Sequence, residues 1–135
     1  MRGRIKLLKL FDWKLFFVDF RWETVSIYNG VKVLNLIDKV PARKLPEEAH
    51  SSDAYLLFDK KGNFYQYREY NQDQTLRFEI GYHREKKIDP SGKNVLHVHE
   101  YSNSMLNRTT RPITKDEYIK YDQLFKGVPK WSEKH

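Results

Sequence analysis

The sequence predicts an α+β fold: an antiparallel β-meander sheet with an N-terminal β-hairpin and a C-terminal helix. Three observations predict it. Asn29-Gly30 separates two β-rich runs, four further β-rich runs are joined by polar turns, and a helix-capping sequence follows them. Because 135 residues can bury one core but not two, we expect residues 1–135 to form a single domain.

The N-terminal region, residues 1–40, is predicted to contain the hairpin. In "ETVSIYNGVKVLNLI", Asn29-Gly30 supplies the two positive φ values that a type I′ turn requires. Residues 1–22 fit two patterns, because their apolar spacing suits a helix face while their aromatic and β-branched residues suit strands. Strands are favoured here, since a clear hairpin follows. Charges interrupt this stretch and no cleavage site follows it, so it predicts neither a signal peptide nor a membrane span.

Residues 45–101 are predicted to form the meander. Its four strands are "AYLLF", "FYQYREY", "TLRFEIGYH" and "VLHVHEYS", and the connections are "DKKGN", "NQDQ" and "REKKIDPSGKN". Connections this short join antiparallel neighbours. Residues 38–53, which carry two prolines, are expected to form a linker, and residues 103–113 are expected to be irregular.

The C-terminal helix is predicted over residues 114–126. Thr114 can cap it, and Glu117, three residues later, can complete a capping box. Gly127 then provides a stop signal. The tail that follows, "VPKWSEKH", is expected to be frayed.

Alternation along the strands assigns the candidate functional residues to one face of the sheet. If consecutive strands pair as neighbours, that face collects Arg68, Glu79, His83, His97, His99 and Tyr101. A slip of one residue in any strand would scatter the set.

This set suits a metal-independent ribonuclease, which uses a base, an acid and a cation. The candidate catalytic residues are His97, His99, His83, Arg68 and Glu79. Histidine suits both proton transfers, because its unperturbed pKa lies near neutral pH. The arginine fork matches phosphate oxygens, and a glutamate can orient the base or act as the base itself. Aromatic side chains could stack on an unpaired base. The candidate binding residues are Tyr82, Tyr101, Arg77 and Arg84.

Two other interpretations of the histidines stay open. A His-x-His pair on a strand places both rings on one side, so His83, His97 and His99 could bind zinc, which often takes three histidines. Alternatively, His97 and His99 are polar residues on the solvent side of a strand without a special role. The ribonuclease interpretation requires no cofactor.

Charge and cysteine content restrict the class of partner. The formal net charge of +7 favours a polyanionic partner, with nucleic acid ahead of a membrane surface. The ribonuclease interpretation favours RNA over DNA. The chain has no cysteine, which excludes a disulfide scaffold and thiolate zinc sites. We therefore expect a cytoplasmic protein that does not bind membranes.

The order of these features resembles the C-terminal toxin-type domains of bacterial polymorphic toxins and phage proteins. The matching pieces are Ser51 or Ser52, "FDKKGNFYQYREY", "FEIGYH" and "HVHEY". Such domains are similar to the nuclease group typified by barnase, EndoU, colicin and RelE-like enzymes. The resemblance implies roles for Arg68, Tyr82, His83, His97 and His99. Gly81 departs from the pattern, because the family tends to have Asp there.

The resemblance covers less than half of the chain and leaves the enzyme question open. One hypothesis is a small phage or mobile-element ribonuclease, for which an immunity protein would be a partner. The alternative is a non-catalytic phage-encoded inhibitor or regulator that binds a host protein or nucleic acid through a basic surface.

Overall fold

The computed structural model describes residues 22–36, 45–49, 52–102 and 106–131. In these residues, seven strands form one sheet whose spatial order follows the chain. The strands are β1 (Trp22–Tyr28), β2 (Val31–Leu36), β3 (Ala54–Phe58), β4 (Phe64–Tyr70), β5 (Leu76–Arg84), β6 (Asn94–Ser102) and β7 (Asn107–Pro112). Helix α1 (Lys115–Tyr121) and a short 3-10 helix (Asp122–Leu124) follow them. None of the helices in the described residues is long and apolar enough to cross a membrane.

The N-terminal hairpin forms as predicted, with Asn29 at φ 47° and Gly30 at φ 83° between β1 and β2. The prediction for residues 1–22 lies outside the described residues, apart from Trp22 in β1. The meander prediction is confirmed for β3 to β6, which pair as antiparallel neighbours.

The expectation of an entirely antiparallel sheet is wrong at one junction, because β2 and β3 run parallel. Antiparallel neighbours can be joined by a tight turn, whereas parallel neighbours need a connection of about a dozen residues or more. Residues 37–53 provide a connection of that length.

The sequence reading also missed β7, whose residues were expected to be irregular. Asn107–Pro112 pairs antiparallel with β6 in unbroken register. It lies at the edge of the sheet and ends in a proline, a residue that edge strands tolerate. Polar residues dominate it, so the apolar alternation that marks a strand is missing.

The C-terminal helix is shorter than predicted, but its capping box is present. The Glu117 amide donates to Thr114 Oγ1 over 3.1 Å, and the Thr114 amide donates to the Glu117 carboxylate over 3.0 Å. After the helices, the expectation of a frayed tail is wrong for Val128 and Trp131. Both pack against the core, and the Trp131 ring lies 5.6 Å from that of Tyr118.

The sheet has two covered faces. We call the first the helix face, because the C-terminal helices lie on it. Its buried cluster contains Val33, Leu56, Phe64, Tyr67, Phe78, Ile80, Leu96, Val98, Ile113, Leu124 and Phe125. We call the other the histidine face. Its buried apolar cluster contains Trp22, Leu34, Leu45, Ala49, Tyr55, Leu57, Tyr70, Leu76 and Tyr101.

A register shift in the pairing of β4 with β5 interrupts the expected alternation near the start of β5. Glu69 pairs with Phe78 and Tyr70 pairs with Leu76, so Arg77 is the extra residue of a bulge. As a result, Leu76 joins the apolar cluster of the histidine face instead of lying beside Phe78 and Ile80.

Candidate functional site

Strand register brings the predicted residues together on the histidine face. Arg68 in β4 pairs with Glu79 in β5, and Glu79 pairs with His99 in β6. Two residues farther along β5, Gly81 pairs with His97 in β6. Paired residues point to the same side of a sheet, so the shared face that alternation predicts is the face that forms.

This part of the face is buried, which overturns the interpretation of the two histidines as solvent-facing residues. His97 is 0% exposed and His99 is 3% exposed. Arg68 and Glu79 are buried to a similar degree. Buried polar groups are costly unless they have partners, so each member of the set requires its hydrogen bonds to be traced.

Arg68 forms an ion pair with Glu79 and anchors a neighbouring segment. Its Nε lies 2.9 Å and its Nη2 2.8 Å from Glu79 Oε1. Its Nη1 donates to the Leu45 carbonyl over 2.9 Å and to the Pro46 carbonyl over 3.2 Å. Every guanidinium nitrogen therefore has a protein partner, and the cation that the ribonuclease hypothesis assigns to phosphate is held by protein groups.

Two further side chains fix segment 45–49 to the same face. Tyr70 donates its hydroxyl to the Pro46 carbonyl over 2.6 Å, and the Leu45 amide donates to Gln66 Oε1 over 2.7 Å. The sequence reading treated this segment as part of a linker. It instead covers the Arg68–Glu79 pair.

Glu79 is stabilised in its ionised form. Burial alone would raise the pKa of its carboxyl, but the charge of Arg68, with help from His99 and from hydrogen bonds, outweighs burial and lowers the pKa. Oε1 accepts bonds from Arg68 and from the Tyr101 hydroxyl at 3.2 Å. The other oxygen, Oε2, faces His99.

His97 is held in one neutral tautomer. Its Nδ1 lies 2.8 Å from the Val95 carbonyl, so Nδ1 carries the proton and donates it. Nε2 is therefore a lone-pair acceptor, and it is buried without a partner among the described residues. Burial lowers the pKa of His97 to about 4, which keeps the ring neutral at neutral pH.

His99 lies between two carboxylates. Its Nδ1 is 2.9 Å from Thr110 Oγ1, which fixes the ring. Its Nε2 is 3.9 Å from Glu85 Oε1 and 4.0 Å from Glu79 Oε2. Both distances exceed hydrogen-bond length, and burial lowers the pKa of His99. No close hydrogen-bond donor or acceptor therefore satisfies Nε2 among the described residues.

Glu85, His97 and His99 together offer three ligand atoms that lie within 4.8 Å of one another. On a tetrahedral zinc ion with bonds near 2.0–2.1 Å, neighbouring ligand atoms are about 3.3 Å apart. Small side-chain movements would close that difference. The Nδ1 bond of His97 to a backbone carbonyl also matches the way in which metal-binding imidazoles are oriented.

Two other predicted residues, His83 and Tyr101, border the same face. His83 Nδ1 lies 3.1 Å from the Arg84 carbonyl, and the His83 ring meets that of His97 edge to face with 4.6 Å between centroids. Gly81 lies in β5 at this point, paired with His97 in β6. A Cβ on Gly81 would come 2.7 Å from His83 Nε2 and 3.1 Å from His97 Nε2.

Three candidate binding residues lie apart from this cluster. Tyr82 packs against the helix-face core. Arg77, displaced by the bulge, forms its ion pair with Glu69. Arg84 is exposed at the end of β5, opposite Asn94.

The sequence reading missed Glu85, Thr110 and Gln66 as parts of the site. Glu85 follows His83 by two residues, a spacing that places two side chains on one side of an extended strand. The sequence pattern assigns Glu85 to a polar loop, so it was not among the candidate residues. Thr110 belongs to the missed strand β7.

In comparisons with known proteins, no family model matches this chain, and no curated protein or solved structure matches it significantly. The resemblance to toxin-type nuclease domains therefore stays a prediction.

Proposed function

We propose that this protein binds a divalent transition-metal ion, with zinc as the first candidate, through His97, His99 and Glu85. The observation that carries the proposal is His97 Nε2, a buried acceptor without a protein partner that borders two further ligand groups. A cation bound among these lone pairs and carboxylate oxygens would supply the partner that they lack.

The donor set favours zinc over harder ions. Two imidazoles and one carboxylate are common zinc ligands, whereas calcium and magnesium prefer oxygen ligands. The depressed pKa of His97 helps, because a neutral imidazole binds metal without first losing a proton. Charge also fits, since Arg68 already neutralises Glu79 and a divalent ion would face the charge of Glu85.

The direct test is calorimetric titration of the EDTA-treated, dialysed full chain with zinc chloride. We expect the titration to show one zinc per chain. In urea denaturation, the free energy of unfolding should rise by about 4 kcal/mol when free zinc is a thousand times Kd. His97→Ala and His99→Ala should each abolish tight binding. The matched control is His135→Ala, which removes a histidine from the end of the chain. Equal zinc binding by the wild type and the His97→Ala variant would contradict the proposal.

The second candidate function is the ribonuclease expected from the sequence. The line of Glu79, His99 and His97 across two strands supports it, because it places a carboxylate and two imidazoles side by side. The +7 charge of the whole chain supports an RNA partner. Much of that charge lies in residues 1–21, which contain six Lys or Arg and two Asp.

Burial of His97 and His99 means that RNA could reach them only if the histidine face opened. The test is incubation of the metal-free protein with total RNA in EDTA, with His97→Ala and His99→Ala as controls. Cleavage that survives chelation and disappears in both variants would support the ribonuclease. An absence of cleavage would leave metal binding as the better account of the site.

A further inference from the structure

The side chain of His83 has no role in the three-ligand site, yet a backbone carbonyl orients its ring as it orients that of His97. Its Nδ1 lies 3.1 Å from the Arg84 carbonyl, and a carbonyl can only accept. When the ring carries a single proton, that proton is therefore on Nδ1, and Nε2 offers a lone pair. Among the described residues, no donor lies within hydrogen-bond distance of that nitrogen.

The Nε2 atoms of His83 and His97 lie close to the same position beside Gly81. Both lie within about 3 Å of the position that a Cβ on Gly81 would occupy, at 2.7 Å and 3.1 Å. Two lone pairs thus border one small space, on the side of the sheet that carries His99 and Glu85. Two imidazole lone pairs that face each other repel, and a cation between them would bind to both nitrogens.

The proposed ligands would form an inner and an outer pair. His97 and His99 lie in the middle of β6 and are buried. His83 is half-buried near the end of β5, and Glu85, directly after the strand, has a side chain that is 19% exposed. An ion could therefore approach past the outer pair and reach an inner pair that the sheet already holds in place.

We infer that His83 is the fourth ligand of the metal centre and that Gly81 is the residue that makes room for it. The inference rests on the proposed metal-binding function. Four protein ligands saturate a tetrahedral ion, which is the pattern of structural zinc sites, whereas catalytic sites keep one position open. The centre then joins the end of β5 to the middle of β6 and leaves no position for substrate.

The test is X-ray absorption spectroscopy on the zinc-loaded full chain, together with zinc affinity by competition with a chelator. The wild type should show four nitrogen or oxygen ligands at about 2.0 Å, three of them with the scattering pattern of imidazole. His83→Ala should lower the number of imidazoles to two and weaken zinc binding at least about tenfold. The matched control is Lys86→Ala, which changes an exposed residue of the loop that follows β5.

Gly81→Ala supplies an independent variant, because Gly81 has no positive φ and the backbone can accept alanine. The added methyl group would displace His83 Nε2 and would also crowd His97 Nε2, so the loss of affinity should be at least as large as that of His83→Ala. The double variant should lose no more than Gly81→Ala alone.

The possible failures are distinguishable. An unchanged imidazole count and affinity in His83→Ala would overturn the fourth-ligand inference and leave the three-ligand site intact. Additive losses in the double variant would overturn the role assigned to Gly81. A wild type that binds no zinc would overturn both this inference and the proposed function.

Discussion

Each face of the sheet has a carboxylate within a hydrogen-bond network, Glu69 on the helix face and Glu79 on the histidine face. The two networks differ in whether every buried polar group has a partner. On the helix face, Glu69 Oε2 accepts hydroxyl bonds from Tyr67 at 2.6 Å and Tyr121 at 2.7 Å, while Arg77 pairs with Oε1. On the histidine face, Glu79 is paired with Arg68 and accepts a bond from Tyr101. Both carboxylates are therefore satisfied by protein groups.

The faces differ beyond their carboxylates. The polar network of the helix face ends at Glu69 and its partners, which tie helix α1 to the sheet. The polar network of the histidine face continues to His99 and His97, where a buried acceptor has no partner among the described residues. Unsatisfied buried acceptors are rare in folded proteins, so His97 Nε2 is the feature that distinguishes the histidine face and on which the metal proposal rests.

The largest predicted effect comes from breaking the buried ion pair. Arg68→Ala would leave the carboxylate of Glu79 buried without its counter-charge and would remove two of the hydrogen bonds that hold segment 45–49. We expect a loss of about 3–5 kcal/mol in the free energy of unfolding, measured by urea denaturation. The matched control on the other face is Arg77→Ala, which removes an exposed arginine from Glu69 and should cost less than about 1 kcal/mol.

A double variant tests the cause of that loss. Arg68→Met combined with Glu79→Leu removes both charges, so it should be less destabilised than Arg68→Ala alone. If the double variant and the single variant were equally unstable, the lost contacts to segment 45–49 would explain the effect instead of the unpaired charge.

The second prediction concerns the loss of stability at acidic pH that the buried, neutral His97 on the histidine face should cause. The pKa of His97 is about 4 in the folded chain and near its ordinary value of 6.5 when unfolded. Between these values the unfolded chain binds a proton that the folded chain does not, so stability falls as pH falls through this window. From pH 7 to pH 4.5, with EDTA present, His97 should account for a loss of about 2 kcal/mol.

The measurement is urea denaturation of the wild type and His97→Asn at both pH values. Asparagine can still donate a side-chain N–H to the Val95 carbonyl, but it does not titrate. The variant should lose less stability on acidification than the wild type. Equal losses in the two proteins would contradict the buried neutral state of His97. Glu79 should lose its stabilising effect at a lower pH than His97, because its folded-state pKa lies below the ordinary value of a carboxyl group.

Sequence reasoning could place the histidine face because it depends on local rules. Polar turns fixed the order of β3 to β6, and alternation then placed Arg68, Glu79, His97 and His99 on one side. Alternation fails where a strand contains an extra residue, and the bulge at Arg77 moved that side chain to Glu69. The local pattern of apolar and polar residues does not predict this bulge.

Burial of the site could not be predicted, because it depends on contacts distant in sequence. Arg68 bonds to a carbonyl 23 residues earlier, in a segment that the sequence describes only as proline-containing and charged. The tautomers of His83 and His97 likewise depend on the distance from each ring to a backbone carbonyl. Residue type and spacing therefore suggested histidine chemistry, but the burial of His97 and His99 follows only from the three-dimensional structure.

The smallest predicted effect is on the helix face, where Tyr121→Phe removes one hydroxyl bond to Glu69. Glu69 keeps Tyr67 and Arg77, so we expect a loss of only about 1 kcal/mol in unfolding free energy. Tyr118→Phe is the matched control, because the Tyr118 ring packs against Phe125. Zinc affinity should be unchanged in both variants. A change in zinc affinity in Tyr121→Phe would mean that the two faces are coupled through the sheet, contrary to the separation drawn between them.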